Sequence, residues 1–284
     1  MIGFIGLGIM GGPMAGHLLD HGEKLVVHNR TEAKATPLLE RGATWASSPA
    51  ELGEVDTVIT MLAHPDAVRA VATGPDGFLD HLPAGTRWVD SSTVHPAFSR
   101  EMAAAATDRG LRFLDAPVAG TKPQAEAADL VFFVGGDEAD LASVRPLLDQ
   151  MGRAVIHVGG TGMGTSIKVV VNAMLSESMA AFAENVALGR SLGLSEEALH
   201  EVLIGGPVTP PFLAMKQAGM LSDEYDLQFP MQWMHKDLRM VAAAAAEGGV
   251  HVPLAEAAAD AYQEAIDAGL GGLDFSALYR HALG

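Results

Sequence analysis

Lys168 stands in an almost wholly apolar run, GMGTSIKVVVNAMLSESMAAFAENVALG, with no opposite charge within one helical turn on either side. Taking an ammonium group out of water moves its pKa toward neutrality, where a lysine can pass protons as a general acid or base. The alternative is a lysine whose aliphatic stem runs along the helix and whose charge stays in water. The run alone leaves the two open. Asn172 follows one turn later on the stripe Lys168, Asn172, Leu175, Met179, at spacings of four, three and four. It either orients the lysine or a substrate oxygen, or packs as an amide between helices.

A second constellation lies near residue 6. Gly6-Leu7-Gly8-Ile9-Met10-Gly11 directly follows the strand-like IGFI and opens a helical pattern. That is the context a dinucleotide fingerprint needs: the first glycine makes the turn, the second admits the pyrophosphate, and the third lets helix and strand pack closely. The pyrophosphate would meet the helix N-terminus. About twenty residues on, VVHNRT puts Asn29, Arg30 and Thr31 where NAD-binding folds place an acidic residue for the ribose hydroxyl. A neutral Asn29 beside the Arg30 cation suits a 2'-phosphate, so NADP is expected over NAD. The competing reading is a solvated Arg30 compensated by Glu32. In DAPVAGTKPQAEAADL a strand-like segment enters a Gly- and Thr-bearing loop, where the backbone N–H groups of Gly120 and Thr121 can take a carboxylate without an arginine; otherwise it is a plain turn.

These residues need a scaffold. MIGFIGLG, KLVVHN, VDTVITML, TRWVDSST, RFLDAPV, LVFFVGG and AVIHVGG are short, rich in Val, Ile, Phe or Leu, and alternate with helical patterns such as GPMAGHLLDHG and AFSREMAAAATDRG. The alternation predicts an α/β fold, a mostly parallel sheet with helices on both faces. After VIHVGGTGMG the pattern turns helical, with breaks at GGPVTPP and EGGVHVP. The expected organisation is a Rossmann domain over 1–160 and an all-α domain over 161–284 that carries substrate and assembly contacts. The helix from Ile167 to Leu188 is apolar nearly all round, so it is expected to lie against other elements or a second subunit.

Composition narrows the function classes. With 284 residues, 49% of them apolar, the chain can bury a sizeable core. A net charge of -17 without any basic run argues against nucleic acid or an anionic membrane surface as partner. The absence of cysteine removes thiolate and disulfide chemistry. No basic leader and no apolar run of about 18 residues is visible, so a cytoplasmic location is expected. Histidines such as His28, His64 and His235 lack metal-ligand spacing, and no GxSxG supports a hydrolase.

Taken in order, GFIGLGIMGGPMAGHLL, NRT, VITML, VDSSTVHP, DAPVAGTKPQAEA, GTSIKVVVN, HKDLRM and GGLDFSAL resemble the β-hydroxyacid dehydrogenase family, which includes 3-hydroxyisobutyrate dehydrogenases. NRT, the GTKPQAE loop and LDFSAL look most like the glyoxylate/succinic semialdehyde reductases within it. The resemblance implies that Lys168 is the catalytic acid/base with Asn172 beside it in the site. It puts Leu62, Ala63, Thr93 and Lys236 at cofactor-contacting positions. Gly120 and Thr121 fall on the substrate-carboxylate loop, and Phe229 and Asp237 on the substrate cleft. It further implies a Rossmann domain joined to a helical domain by a long helix, a cleft between them, and a homodimer or homotetramer. Ala119 stands where many relatives have Ser, and MLA where many have MLP, which leaves the small carboxylic-acid substrate less defined than the reaction. The expected activity is reversible hydride transfer between NADP(H) and a short semialdehyde acid. The alternatives are oxidation of 3-hydroxyisobutyrate or a related 3-hydroxy acid, and a nucleotide-binding assembly scaffold, against which the presence of Lys168 argues.

Overall fold

A computed structural model describes residues 1–284. The first half runs β1 (Ile2–Ile5), α1 (Gly11–Asp20), β2 (Leu25–His28), α2 (Thr36–Leu39), β3 (Thr44–Trp45), β4 (Thr57–Thr60), α3 (Pro65–Thr73), β5 (Arg87–Asp90), α4 (Pro96–Thr107), β6 (Arg112–Asp115), β7 (Val118–Ala119), α5 (Lys122–Glu126), β8 (Leu130–Gly135), α6 (Glu138–Leu148) and β9 (Gly152–Gly159). The strand order is β3-β2-β1-β4-β5-β6-β8-β7, with β9 on β8. Strands β1 to β6 pair in parallel, β8 runs antiparallel to β6 and β7, and β9 returns parallel to β8. The order 3-2-1-4-5-6 is that of the dinucleotide-binding Rossmann sheet.

Each central strand is buried on both faces, which is why it reads as a continuous apolar run. Phe4, Val27, Ile59, Val89 and Leu114 pack with Met14 and Leu18 of α1 and Val144 of α6. Ile5, Val26, Val58, Trp88 and Phe113 pack with Val68 of α3 and Met102 of α4. Trp88 sits edge-on between Phe78 and Phe113, with ring centroids 5.1 and 4.8 Å away.

The helical half comprises α7 (Met163–Ser191), α8 (Glu196–Ile204), α9 (Phe212–Ser222), α10 (Met231–Gly248), α11 (Pro253–Ala265) and α12 (Leu278–Leu283). GGPVTPP separates α8 from α9, and EGGVHVP separates α10 from α11, where Gly249 takes a left-handed φ of 67° as the C-cap. Its own core gathers Met179, Phe182 and Val186 of α7, Leu199, Met231, Met234, Leu238, Tyr262, Phe275 and Tyr279. The chain divides into two compact units, Met1–Lys168 and Val169–Gly284, the division falling inside α7. α7 is not covered all round: Val170, Met174 and Leu188 are 62, 66 and 55% exposed. No helix is long and apolar enough to cross a membrane.

Candidate active site

In the first unit β1 lies between β2 and β4, the point where the strand order reverses and such sheets receive ligands at their carboxyl ends. Gly6 has φ 100°, and a Cβ there would be driven into the Met61 carbonyl; a Cβ on Gly11 would strike the Gly6 carbonyl. Only glycine closes this turn. Gly8 differs, because nothing lies within 4 Å of where its Cβ would be. The space in front of α1 is therefore open, and the first turn of α1 has no acidic residue to neutralise its positive end. Asn29 Oδ1 accepts from the Leu7 N–H at 3.0 Å, and its Nδ2 donates to the Thr31 carbonyl at 2.9 Å. The amide thus ties the glycine turn to the NRT turn and leaves Arg30 and Thr31 exposed at its edge.

The loops after β4 and β5 are tied to each other by a buried network. Ser92 Oγ accepts from the Leu62 N–H at 2.9 Å, while the Ser92 N–H and the Thr60 hydroxyl both donate to Asp90 Oδ1, at 3.1 and 2.7 Å. Trp88 Nε1 donates to Thr60 Oγ1. Asp90 is 1% exposed and its Oδ2 has no partner. Burial pushes its carboxyl up to about 6, against the hydrogen bonds from Ser92 and Thr60. Leu62, Ala63 and Thr93 follow directly from these strand ends. The sequence pattern did not single out Asp90, Ser92 or Thr60; a carboxylate closing the apolar strand RWVD was the available signal.

Gly120 has φ 121°, and a Cβ there would press on Gln124 and Leu130, so the loop entering α5 requires glycine. Thr121 directs both its N–H and its hydroxyl to Gln124 Oε1, at 2.9 and 3.0 Å. Gly120 is exposed, whereas the Thr121 donors are already engaged in opening α5.

Lys168 is 8% exposed on α7. In the second unit Asn172 and Asp237 meet: Asn172 Nδ2 donates to Asp237 Oδ2 at 2.6 Å, and Lys236 Nζ lies 3.0 Å from Asp237 Oδ1. A carboxylate only accepts, so it fixes which end of the amide faces it. Asn172 Oδ1 is consequently left as a buried acceptor without a partner. Phe229 is tied to a second buried carboxylate. Its N–H donates to Asp274 Oδ2 at 3.0 Å, and Asp274 pairs with Lys216 at 2.9 Å, with Lys216 also donating to Gln228 and lying 5.1 Å over the Phe275 ring.

Residues 1–159 match the NAD binding domain of 6-phosphogluconate dehydrogenase, and residues 162–282 match the NAD-binding region of NADP-dependent 3-hydroxyisobutyrate dehydrogenase. Glyoxylate/succinic semialdehyde reductase 1 of Arabidopsis thaliana is 37% identical over 278 residues, covering 98% of this chain and 96% of that protein. The chain belongs to the β-hydroxyacid dehydrogenases. Among solved structures, the 3-hydroxyisobutyrate dehydrogenase of Mycobacterium tuberculosis with L-serine superposes on this β-hydroxyacid dehydrogenase with a TM-score of 0.90 at 34% identity, covering 100% of this chain and 99% of that one. Psf3 in complex with NADP+ and 2-OPP gives a TM-score of 0.88 at 26% identity, covering 99% of both chains. As a β-hydroxyacid dehydrogenase the protein is an oxidoreductase with a Rossmann-type domain for a nicotinamide dinucleotide, and the open space at Gly8 before α1 fits the pyrophosphate of such a cofactor.

Proposed function

We propose that this β-hydroxyacid dehydrogenase transfers hydride between NADP(H) and a short oxo-acid of the glyoxylate or succinic semialdehyde kind, with Lys168 as general acid/base. The observation that carries the reading is a buried lysine one turn before an asparagine whose Nδ2 is taken by Asp237 and whose Oδ1 is left as an acceptor. The bound nicotinamide supplies the hydride that reduces the aldehyde carbon. Lys168 gives its Nζ proton to the oxygen that becomes an alkoxide, and takes a proton back when the alcohol is oxidised. Asn172 Oδ1 accepts from the Lys168 ammonium or from the substrate hydroxyl, and Asp237 keeps it turned that way. The Gly120 N–H binds the substrate carboxylate; Thr121 joins it by exchanging its bonds to Gln124 for the charged ligand. In this reading Phe229 contacts the substrate, and Leu62, Ala63, Thr93 and Lys236 contact the cofactor.

NADP is the preferred cofactor in this reading, because neutral Asn29 beside the exposed Arg30 favours a 2'-phosphate over a free ribose hydroxyl. The NADP+ named in the Psf3 complex supports the same choice. Homodimers or homotetramers would cover the exposed apolar side chains Val170, Met174 and Leu188 of α7. The net charge of -17 and the absence of cysteine suit a cytoplasmic enzyme.

Oxidation of a 3-hydroxy acid is the second reading, favoured by the likeness to the mycobacterial 3-hydroxyisobutyrate dehydrogenase. Specificity constants for glyoxylate, succinic semialdehyde and 3-hydroxyisobutyrate, each with both cofactors, separate the two. The first reading requires the highest value for an oxo-acid with NADPH, and a higher value for 3-hydroxyisobutyrate transfers the assignment to the second.

A further inference from the structure

The first turn of α7 carries no side-chain cap of its own. The residue before it is Gly162, with φ 88°, and the leading N–H groups of a helix have no partner inside it. Asp115, the last residue of β6, supplies the cap from the sheet: its Oδ1 accepts from the Gly162 N–H at 2.7 Å and its Oδ2 from the Thr165 N–H at 2.8 Å. The Thr165 hydroxyl lies 3.2 Å from the same Oδ2 and 3.1 Å from the Gly162 carbonyl. Asp115 and Thr165 are 0 and 1% exposed. Here the helix rests directly on strand backbone. A Cβ on Gly164 would run into the carbonyls of Phe133 and Asp115, and one on Gly135 would lie 2.6 Å from Asp115 Oδ1 and 2.7 Å from the Gly164 N.

Lys168 follows Thr165 by three residues, on the same side of α7 one turn further along. We infer that Asp115 is a positioning residue for the acid/base: by clamping Gly162 and Thr165 it fixes the height and rotation of the turn that carries Lys168. Position 162 cannot supply the cap itself, because at φ 88° a side chain is strained and its Cβ would press on Arg100 and the Pro96 carbonyl. A buried carboxylate, whose carboxyl desolvation raises despite three donors, is a costly substitute that gains orientation. Because the inference rests on the acid/base reading of Lys168, its test must tell the two apart.

The experiment is steady-state reduction of glyoxylate and succinic semialdehyde by NADPH, using the purified full chain with Asp115→Asn, Thr165→Val or Thr165→Ser, each alone and combined with Lys168→Ala. Misplacement of a reacting group by about 1 Å costs roughly a hundredfold. Asp115→Asn should therefore lower kcat by at least about tenfold, with KM for NADPH within about twofold of the parent. Thr165→Val should lower kcat about threefold, with Thr165→Ser restoring it. In the Lys168→Ala background none of these should reduce the residual rate further, since the group they position is gone. If Asp115→Asn does not fold, the Thr165 pair decides. Wild-type kcat in Asp115→Asn and Thr165→Val beside an inactive Lys168→Ala overturns the inference and leaves Asp115 a structural cap. Equal losses with and without Lys168 overturn it too, whereas full turnover in Lys168→Ala shows that the acid/base reading itself has failed.

Discussion

Asp90 should make the stability of this protein pH-dependent in a direction opposite to that of an ordinary paired carboxylate. Its carboxyl is raised from 3.8 to about 6 because a fully buried charge loses its hydration, with only Ser92 and Thr60 donating to one of its oxygens. At about 1.4 kcal/mol per pH unit, that rise corresponds to about 3 kcal/mol between the two protonation states. The folded chain holds the proton more tightly than the unfolded chain. The contribution is therefore fully present below the unfolded value, and is lost as pH rises through about 6. Between about pH 7.5 and about pH 5 the folded state should gain on the order of 1 kcal/mol from this group alone. Urea unfolding of the parent and of Asp90→Asn at both pH values isolates the term, since the other titrating groups largely cancel in the difference. The parent should gain stability relative to Asp90→Asn as the pH falls. A flat difference, or a relative loss for the parent, would refute the burial argument and with it the picture of a dry network behind Leu62.

Two further outcomes follow from charges in the two units. Arg30→Asp should invert the cofactor preference toward NAD, because it removes the cation and adds repulsion to the 2'-phosphate; specificity constants for the two cofactors check it, and an unchanged ratio counts against Arg30. Asp274→Asn should destabilise the protein by about 3–5 kcal/mol in urea unfolding, because it strands the buried Lys216 ammonium and weakens the acceptor for the Gln228 and Phe229 N–H groups; a loss below about 1 kcal/mol would deny that hub its role.

The parallel sheet was legible in the sequence because burial on both faces leaves each strand as an unbroken apolar run between turn residues, as in LVVH and TVIT. β3 and β7, two residues each, are too short to carry any period. The reversal at β8 was hidden as well, since strand direction depends on how the chain from Ala116 to Asp129 turns back and not on the apolar content of LVFFVG. The glycine turn was readable, because its requirements lie within six consecutive residues. Asn172 was visible only as a neighbour of Lys168, because the carboxylate that orients it is 65 residues away. Asp115 is likewise 50 residues from Thr165. The rule that drew attention to Lys168 would also have selected Lys216, a lone lysine in FLAMKQAGM. The structure gives Lys216 a structural place, paired with Asp274 and lying over the Phe275 ring.

The proposed role of Lys168 as proton donor in the reduction of a short oxo-acid by NADPH is tested by the turnover of Lys168→Ala with saturating cofactor. In that variant kcat should fall by roughly a hundredfold or more, as for loss of a general acid, with the dissociation constant for NADPH little changed. Near-parental kcat in Lys168→Ala, with glyoxylate or succinic semialdehyde as substrate, would contradict it.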